Sequence, residues 1–316
     1  MKQVIINAHV VDEKNVGDLV SSPIRYFEFP GFEKKTIDIR AFDTEDLQDL
    51  LPATEQVRYH LVVGGGGLIY QRFLRAMTRL GDPSTPIQGA RVLWGIGQQD
   101  YGSNAQQGNL VNILRQTSQR FNYQPYLAGF DLIGLRDDES GQAWVPCASC
   151  MHPAFDQPYR IEHEFVVFSH KKFQIHVDRL PRMTNESNDL ASILAFLGSG
   201  ETVLTSSYHG AYWGLLLGRK VLAFPFSTKF MTLKHKPGYY PLQSWRDQIW
   251  KFRPFREGFL NKLSFKLRYG NKYSCTTEGW QAALKDCQIY PDILSVYRSC
   301  NLAFYQQVMA TFAARS

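Results

Sequence analysis

The stretch Thr202-Val203-Leu204-Thr205-Ser206-Ser207-Tyr208-His209-Gly210-Ala211-Tyr212-Trp213-Gly214-Leu215-Leu216-Leu217 is followed, after a short turn, by Val221-Leu222-Ala223-Phe224. Residues 202–205 and 221–224 are short apolar, β-rich runs, the pattern of buried strands. Residues 209–217 between them carry enough apolar side chains for a buried helix. Strand, helix and strand in so few residues make a βαβ unit, with parallel strands and the helix on one face of the sheet.

The pattern continues in both directions. Residues 164–168 read as a strand, and residues 188–197 as a helix stopped by Gly198 and Gly200. Further upstream, residues 4–6, 36–39, 60–63, 91–94 and 131–135 read as strands. Plausible helices lie between them, around residues 17–28, 44–51, 68–80 and 106–120. The expectation is an α/β protein of two Rossmann-like, doubly wound domains facing a cleft. Residues 1–157 form the first and 158–277 the second, with the turn-rich residues 153–158 at their junction. Residues 278–316 form a C-terminal helical segment. The chain's 316 residues are ample for two cores.

Hydrophobic residues make up 44% and charged residues 20%, a globular profile. No run is long and apolar enough for a membrane span, and the start, Met1-Lys2-Gln3-Val4-Ile5-Ile6-Asn7, reads as a strand rather than a signal peptide. A cytoplasmic chain is expected, and five cysteines fit reduced thiols there. Cys147 and Cys150 form a lone Cys-x-x-Cys with no second pair, so a structural role is expected and no metal. The formal net charge of +6 is uneven. Residues 229–272 hold eleven Lys or Arg against Asp247 and Glu257, so that segment is +9 and the rest −3. Aromatics such as Phe230, Trp245, Trp250 and Phe252 interleave with those cations. They read either as a solvated basic face over a few core rings or as a peripheral contact with an anionic membrane. No nucleic-acid fold motif accompanies them.

In doubly wound sheets ligands bind beyond the carboxyl ends of the strands, so the residues there carry the chemistry. Asn15-Val16-Gly17-Asp18 follows the first strand. Gly64-Gly65-Gly66-Gly67 follows the third; four glycines are entropically costly, and they make either a backbone wall for an anion or a tight turn. No Gly-Lys-Ser/Thr follows, so this is not a P-loop, and a nicotinamide fingerprint is missing. Trp94-Gly95-Ile96-Gly97-Gln98 follows the fourth strand. Arg136-Asp137-Asp138-Glu139-Ser140 follows the fifth, placing a guanidinium where it could bind an anion or pair with Asp137. Ser206 and Ser207 can cap the helix that carries His209, a proton donor or acceptor, or else a core histidine.

Taken in order over about residues 15 to 230, these segments resemble the polysaccharide pyruvyl transferase family. That family carries an Asn-x-Gly-Asp, here Asn15–Asp18, then a glycine run after a strand, here Gly64–Gly67. A Gly-x-Gly strand end follows, here Gly95–Gly97, and an Arg-Asp with a nearby Ser, here Arg136–Ser140. Late in the chain come a Ser-rich turn with a His, here Ser206–Gly210, and a strand followed by a Lys, here Lys229.

The resemblance implies a fold similar to GT-B-type glycosyltransferases. It implies phosphoenolpyruvate as donor substrate, with no separate cofactor. The acceptor would be a sugar hydroxyl pair on a surface or exopolysaccharide precursor, commonly lipid-linked, and the product a pyruvyl ketal. His209 would be the general acid. Arg136, Ser206, Ser207, Tyr208, Gly210, Lys229, Gly65, Gly66 and Gly97 would hold the donor. Asn15, Asp18, Gln98, Asp137, His170 and Lys171 would complete the cleft. In many members an arginine stands two residues before the histidine; here that residue is Ser207, and Lys171, Lys172 and Lys229 are the candidates to supply the charge. Two other readings fit the scaffold: a sugar transferase with a nucleotide-sugar donor, and a non-catalytic binding member of a polysaccharide assembly system.

Overall fold

The computed structural model describes residues 1–52, 56–101, 109–247 and 273–315. Its first half runs β1 (Lys2–His9), α1 (Val16–Leu19), β2 (Phe32–Asp38), α2 (Ala41–Thr44), α3 (Leu47–Leu50), β3 (Val57–Gly64), α4 (Leu74–Gly81), β4 (Arg91–Ile96), α5 (Leu110–Gln119), α6 (Gln124–Leu127), β5 (Leu132–Leu135) and β6 (Ala143–Trp144). The six strands pair in the order β2-β1-β3-β4-β5-β6, every pair parallel.

The second half runs β7 (His163–Ser169), β8 (Phe173–Gln174), β9 (Arg182–Thr184), α7 (Leu190–Ser199), β10 (Gly200–Thr205), α8 (Tyr208–Leu216), β11 (Lys220–Ala223) and β12 (Gly238–Tyr239). Its main sheet has the order β12-β11-β10-β7-β9, again all parallel. A small third sheet joins β8 to β13 (Arg246–Asp247) and β14 (Tyr273–Ser274). The chain is therefore an α/β protein with two Rossmann-like parallel sheets.

Strand order fixes where ligands can enter. In the first sheet the chain leaves β1 toward β2 on one side and returns to β3 on the other, so β1 and β3 flank the topological switch point. In the second, β7 and β10 flank it, with β9 and β11 beyond them. The crevice at such a point lies outside the carboxyl ends of the strands. Four loops then meet: Asn15–Asp18 and Gly64–Gly67 from one sheet, His170–Lys172 and Ser206–His209 from the other. They touch: Lys171 pairs with Asp12 at 3.2 Å, and the Asn185 amide donates to Asn15 Oδ1 at 3.2 Å.

Alternation along β1 sorts the first core. Val4, Ile6 and Ala8 pack with Met77 and Leu80 of α4. Ile5 faces the other way, toward Val62, Val92 and Trp94. That second face is covered by α9 (Ile293–Ala314), which inserts Phe304, Val308 and Phe312. Each is almost fully buried, and each such side chain contributes roughly 1.5–3 kcal/mol. The Trp94 indole donates to Asn301 Oδ1 at 2.9 Å, and the Asn301 amide donates to the carbonyls of Pro146 and Tyr297, so the buried polar groups are satisfied. The expected C-terminal helix is thus present, and its place is on the first sheet.

Several expected helices are shorter. The helix expected over residues 17–28 is only α1 plus a 3₁₀ turn, Pro23–Arg25. Proline forces the residue before it out of the helical region, and Ser22 sits at φ −71°, ψ 124°. The helix expected at 44–51 breaks at the extended Glu45, after which Asp46 caps α3. The helix expected at 68–80 begins in α form only at Leu74. Of the basic segment 229–272, residues 248–272 lie outside the described residues. Within the described part, Lys229 lines a pocket, Lys234 Nζ lies 4.3 Å over the Trp144 ring, and Lys236 donates to the Met231 carbonyl. These three cations are directed at protein groups. Among the described residues no helix is long and apolar enough to cross a membrane.

Candidate functional site

Where the two switch points meet there is a small polar pocket of about 40 Å³. Asn15, Asp18 and Arg136 come from the first sheet, His170, Ser207, Tyr208 and His209 from the second, and Lys229 from the turn after β11. A second pocket of about 220 Å³ shares Asp18, Gly67 and Gln99 with it and continues along Gly65 and Gly66. Both glycines take positive φ, +81° and +86°, which disfavours any other residue. Among the described residues the N–H groups of Gly66, Gly67 and Leu68 have no hydrogen-bond partner.

Arg136 is the centre of the small pocket. Its side chain is 4% exposed, and its Nε and Nη1 have no hydrogen-bond partner. Among the described residues it makes no ion pair. The anticipated alternative, a pair with Asp137, is not formed. Asp137 instead accepts from the Gln98 backbone N–H at 2.6 Å, the Tyr123 hydroxyl at 3.1 Å and the Thr232 hydroxyl at 2.8 Å. Arg136 lies over the Tyr208 ring, its Cζ 4.1 Å from the centroid. Cation–π contact offsets part of the burial cost, but a buried guanidinium with free N–H groups is expensive unless an anion joins it.

Gly97 makes this arrangement possible without touching the pocket. A Cβ there would sit 2.4 Å from Asp137 Oδ1 and 2.8 Å from Arg136 Nε.

The other ionisable groups are perturbed in a consistent sense. Burial pulls Lys229 down to about 7, assisted by Arg136 and opposed by Asp18. Burial pushes Asp18 up to about 6, against the pull of Lys229. His209 is held well below its usual value by burial and then by Arg136 and Lys229. His170 is held low by burial and by Lys229, Lys171 and Lys172. Its Nδ1 accepts the Lys172 N–H at 3.1 Å, so its single proton sits on Nε2. The pocket thus gathers more basic groups than it can charge at neutral pH. A bound anion would relieve them all at once.

His209 opens α8, where Ser207 caps the helix and accepts from the Gly210 N–H at 3.3 Å. The imidazole stacks on Trp213, with centroids 4.9 Å apart. Its Nε2 lies 3.8 Å from the Cys147 sulfur. Its Nδ1 lies against Gly17, where a Cβ would come within 2.2 Å. The glycine of Asn15–Asp18 therefore gives the histidine room. Cys147 and Cys150 are both free and buried on a 3₁₀ turn, Ala148–Met151. Tyr212 donates to the Cys147 carbonyl and Trp213 to Ser149 Oγ, so this turn docks α8. Among the described residues no three His, Cys, Asp or Glu side chains converge as a metal site.

Other expected residues stand elsewhere. Ser206 is fully buried; it accepts from the His170 N–H at 3.0 Å and donates to the Phe173 carbonyl, so it ties two loops together. Gln98 turns inward to Tyr123 and Ser118, and Gln99 lines the pocket in its place. Gly210 makes room for Phe168 and Thr205. Lys171 spends its charge on Asp12 at the rim. Sequence reading missed Asn185, which follows the three-residue strand β9 and links Asn15 to the Lys171 N–H.

No family model matches the chain, and no curated protein matches it. A solved structure that resembles it is an uncharacterized protein of Klebsiella pneumoniae, at 12% identity, covering 71% of this chain and 84% of that one with a TM-score of 0.40.

Proposed function

We propose that the chain is a transferase that moves the pyruvyl group of phosphoenolpyruvate onto two hydroxyls of a sugar in a surface or exopolysaccharide precursor, on a scaffold of GT-B type. The observation that carries the reading is Arg136: a buried guanidinium with two unpartnered N–H sites, backed by Lys229 and two histidines. Phosphoenolpyruvate has a carboxylate and a phosphate on three carbons, so it matches a tight polycationic pocket. The resemblance over Asn15–Lys229 supplies the reaction type.

The chemistry needs one proton delivered to the donor's methylene carbon and two removed from the acceptor hydroxyls. His209 gives a proton to the methylene carbon of the donor, C2 becomes electrophilic, and an acceptor hydroxyl adds there. Asp18, poised at about 6, takes that hydroxyl's proton. Phosphate leaves with the C–O bonding electron pair, and the second hydroxyl closes the ketal as its proton passes to the departing phosphate. Burial, and after it Arg136 and Lys229, hold the His209 imidazole low. An anion held by Arg136 and Lys229 would offset that burial cost and the repulsion, so donor binding loads the acid. Peripheral contact with an anionic membrane, through the basic segment, fits a lipid-linked acceptor.

Incubation with phosphoenolpyruvate and a panel of sugar acceptors tests the reading through inorganic phosphate release. Phosphate release that depends on the acceptor supports it. Release of nucleotide from a nucleotide sugar, or binding of phosphoenolpyruvate with no turnover on any acceptor, would replace it.

A further inference from the structure

A larger pocket of about 540 Å³ adjoins the anion pocket and is not used by the donor chemistry. Its walls are aromatic, and the rings are ordered with respect to one another. Phe226 and Phe173 stack at 3.9 Å with an angle of 3°. Tyr273 stacks on Phe173 at 5.0 Å and 16°, and Tyr101 on Phe226 at 6.0 Å and 19°. Trp245 crosses this column, standing at 76° to Phe173. Its indole N–H is tied to the Pro225 carbonyl at 3.0 Å, which fixes the ring. The remaining walls include Lys172, Gln243 and Ser244, two neutral hydrogen-bonding groups and one cation.

Two contacts connect this pocket to the reacting centre. Phe226 lies in its wall, and Lys229 Nζ stands 4.7 Å from the centroid of that ring. Tyr101 lines both this pocket and the glycine-walled one, and its hydroxyl accepts from the Gln99 amide at 2.6 Å. The aromatic pocket and the glycine-walled one thus share a wall at Tyr101, and Phe226 stands between the aromatic pocket and Lys229.

We infer that this pocket seats a pyranose ring, the acceptor sugar, stacked in the corner formed by the aromatic column and Trp245. A pyranose is puckered, with an apolar C–H face and a rim of hydroxyls. A corner of two crossed rings accepts that shape, whereas a planar base is best held between parallel faces. The hydroxyl rim would meet Lys172, Gln243 and Ser244, and fixed aromatics with a few placed polar groups are the usual make-up of a small-ligand site. The role as acceptor site rests on the transferase reading; the sugar binding itself does not.

The test is saturation-transfer NMR on the full chain with the methyl glycosides of glucose, galactose, mannose and N-acetylglucosamine, and with uridine and guanosine. At least one glycoside is expected to bind saturably. Trp245→Ala and Tyr101→Ala should each weaken that binding about tenfold, the scale of one aromatic contact, and Trp245→Ala should leave the thermal shift given by phosphoenolpyruvate unchanged. Tyr101 is 37% exposed, so its variant keeps the test valid if Trp245→Ala fails to fold. Absence of binding by all four glycosides, equal binding by the variants, or a nucleoside that displaces the sugar would each overturn the inference. Sugar binding without any effect of phosphoenolpyruvate would instead remove the transferase reading and leave the sugar site standing.

Discussion

Lys229→Met separates a cation kept for a ligand from one kept for stability. Burial lowers the ammonium from 10.5 to about 7. At 1.36 kcal/mol per pH unit this is about 5 kcal/mol against the charged form. The sign follows from proton counting. The folded chain holds fewer protons than the unfolded one between pH 7 and 10.5, so stability rises with pH across that window, and the burden is greatest below pH 7. Methionine has a similar length and no charge. Removing the cation leaves Asp18 without its main counter-charge, which offsets part of the gain. The variant should therefore be more stable than the parent by about 2–4 kcal/mol at pH 6, a rise in Tm of roughly 5–10 °C. About 3 kcal/mol of the parent's burden should vanish between pH 6 and 9.5. Thermal melts at several pH values with and without phosphoenolpyruvate measure both effects, and the ligand's stabilisation should disappear in the variant. A variant that is less stable at pH 6, or a difference that does not change with pH, would refute the reasoning.

Asp18→Asn should be neutral near pH 4 and stabilising by up to about 3 kcal/mol above pH 6, because the raised carboxyl contributes stability at low pH that is lost as it ionises; urea melts at pH 4 and 7.5 check this. Gly97→Ala should cost about 1–3 kcal/mol, since its methyl strikes Arg136 and Asp137, and should weaken phosphoenolpyruvate binding at least tenfold in calorimetry. His209→Ala should keep the fold and lower turnover by about 10²-fold or more, with donor affinity changed far less; near-normal turnover in a verified transferase assay would remove the acid role.

Much of this site is legible in the sequence because glycines and polar residues directly follow apolar runs. Such residues mark strand ends, and strand ends converge at a switch point. Arg136, His209, Asn15, Asp18 and Lys229 all reach one pocket for that reason. Phase and long-range partners are less legible. β4 carries a bulge, with Gly95 at φ 65°, which breaks the two-residue alternation and leaves Gln99 rather than Gln98 facing the pocket. The partners of Asp137 come from Gln98, Tyr123 and Thr232, which only the folded chain brings together. β9 has three residues, with Met183 its one apolar member, so Asn185 behind it gave no signal. Gly97 reads in the sequence as a residue that holds the donor; its use, like that of Gly17, is to clear space for a side chain of the site, Arg136 for Gly97 and His209 for Gly17.

The placement of α9 bears on how the chain is born. Residues 1–144 supply every strand of the first sheet, yet Phe304, Val308 and Phe312 of α9 complete the cover of one face, beside Ile24, Phe27 and Phe29. The α9 residues leave the ribosome only after the whole second half. Until then the apolar wall of Ile5, Val62, Val92 and Trp94 is only partly covered, and such surfaces recruit chaperones or aggregate. A fragment ending near residue 157 should precipitate or bind holdases, and supplying 290–315 as a separate peptide should rescue it.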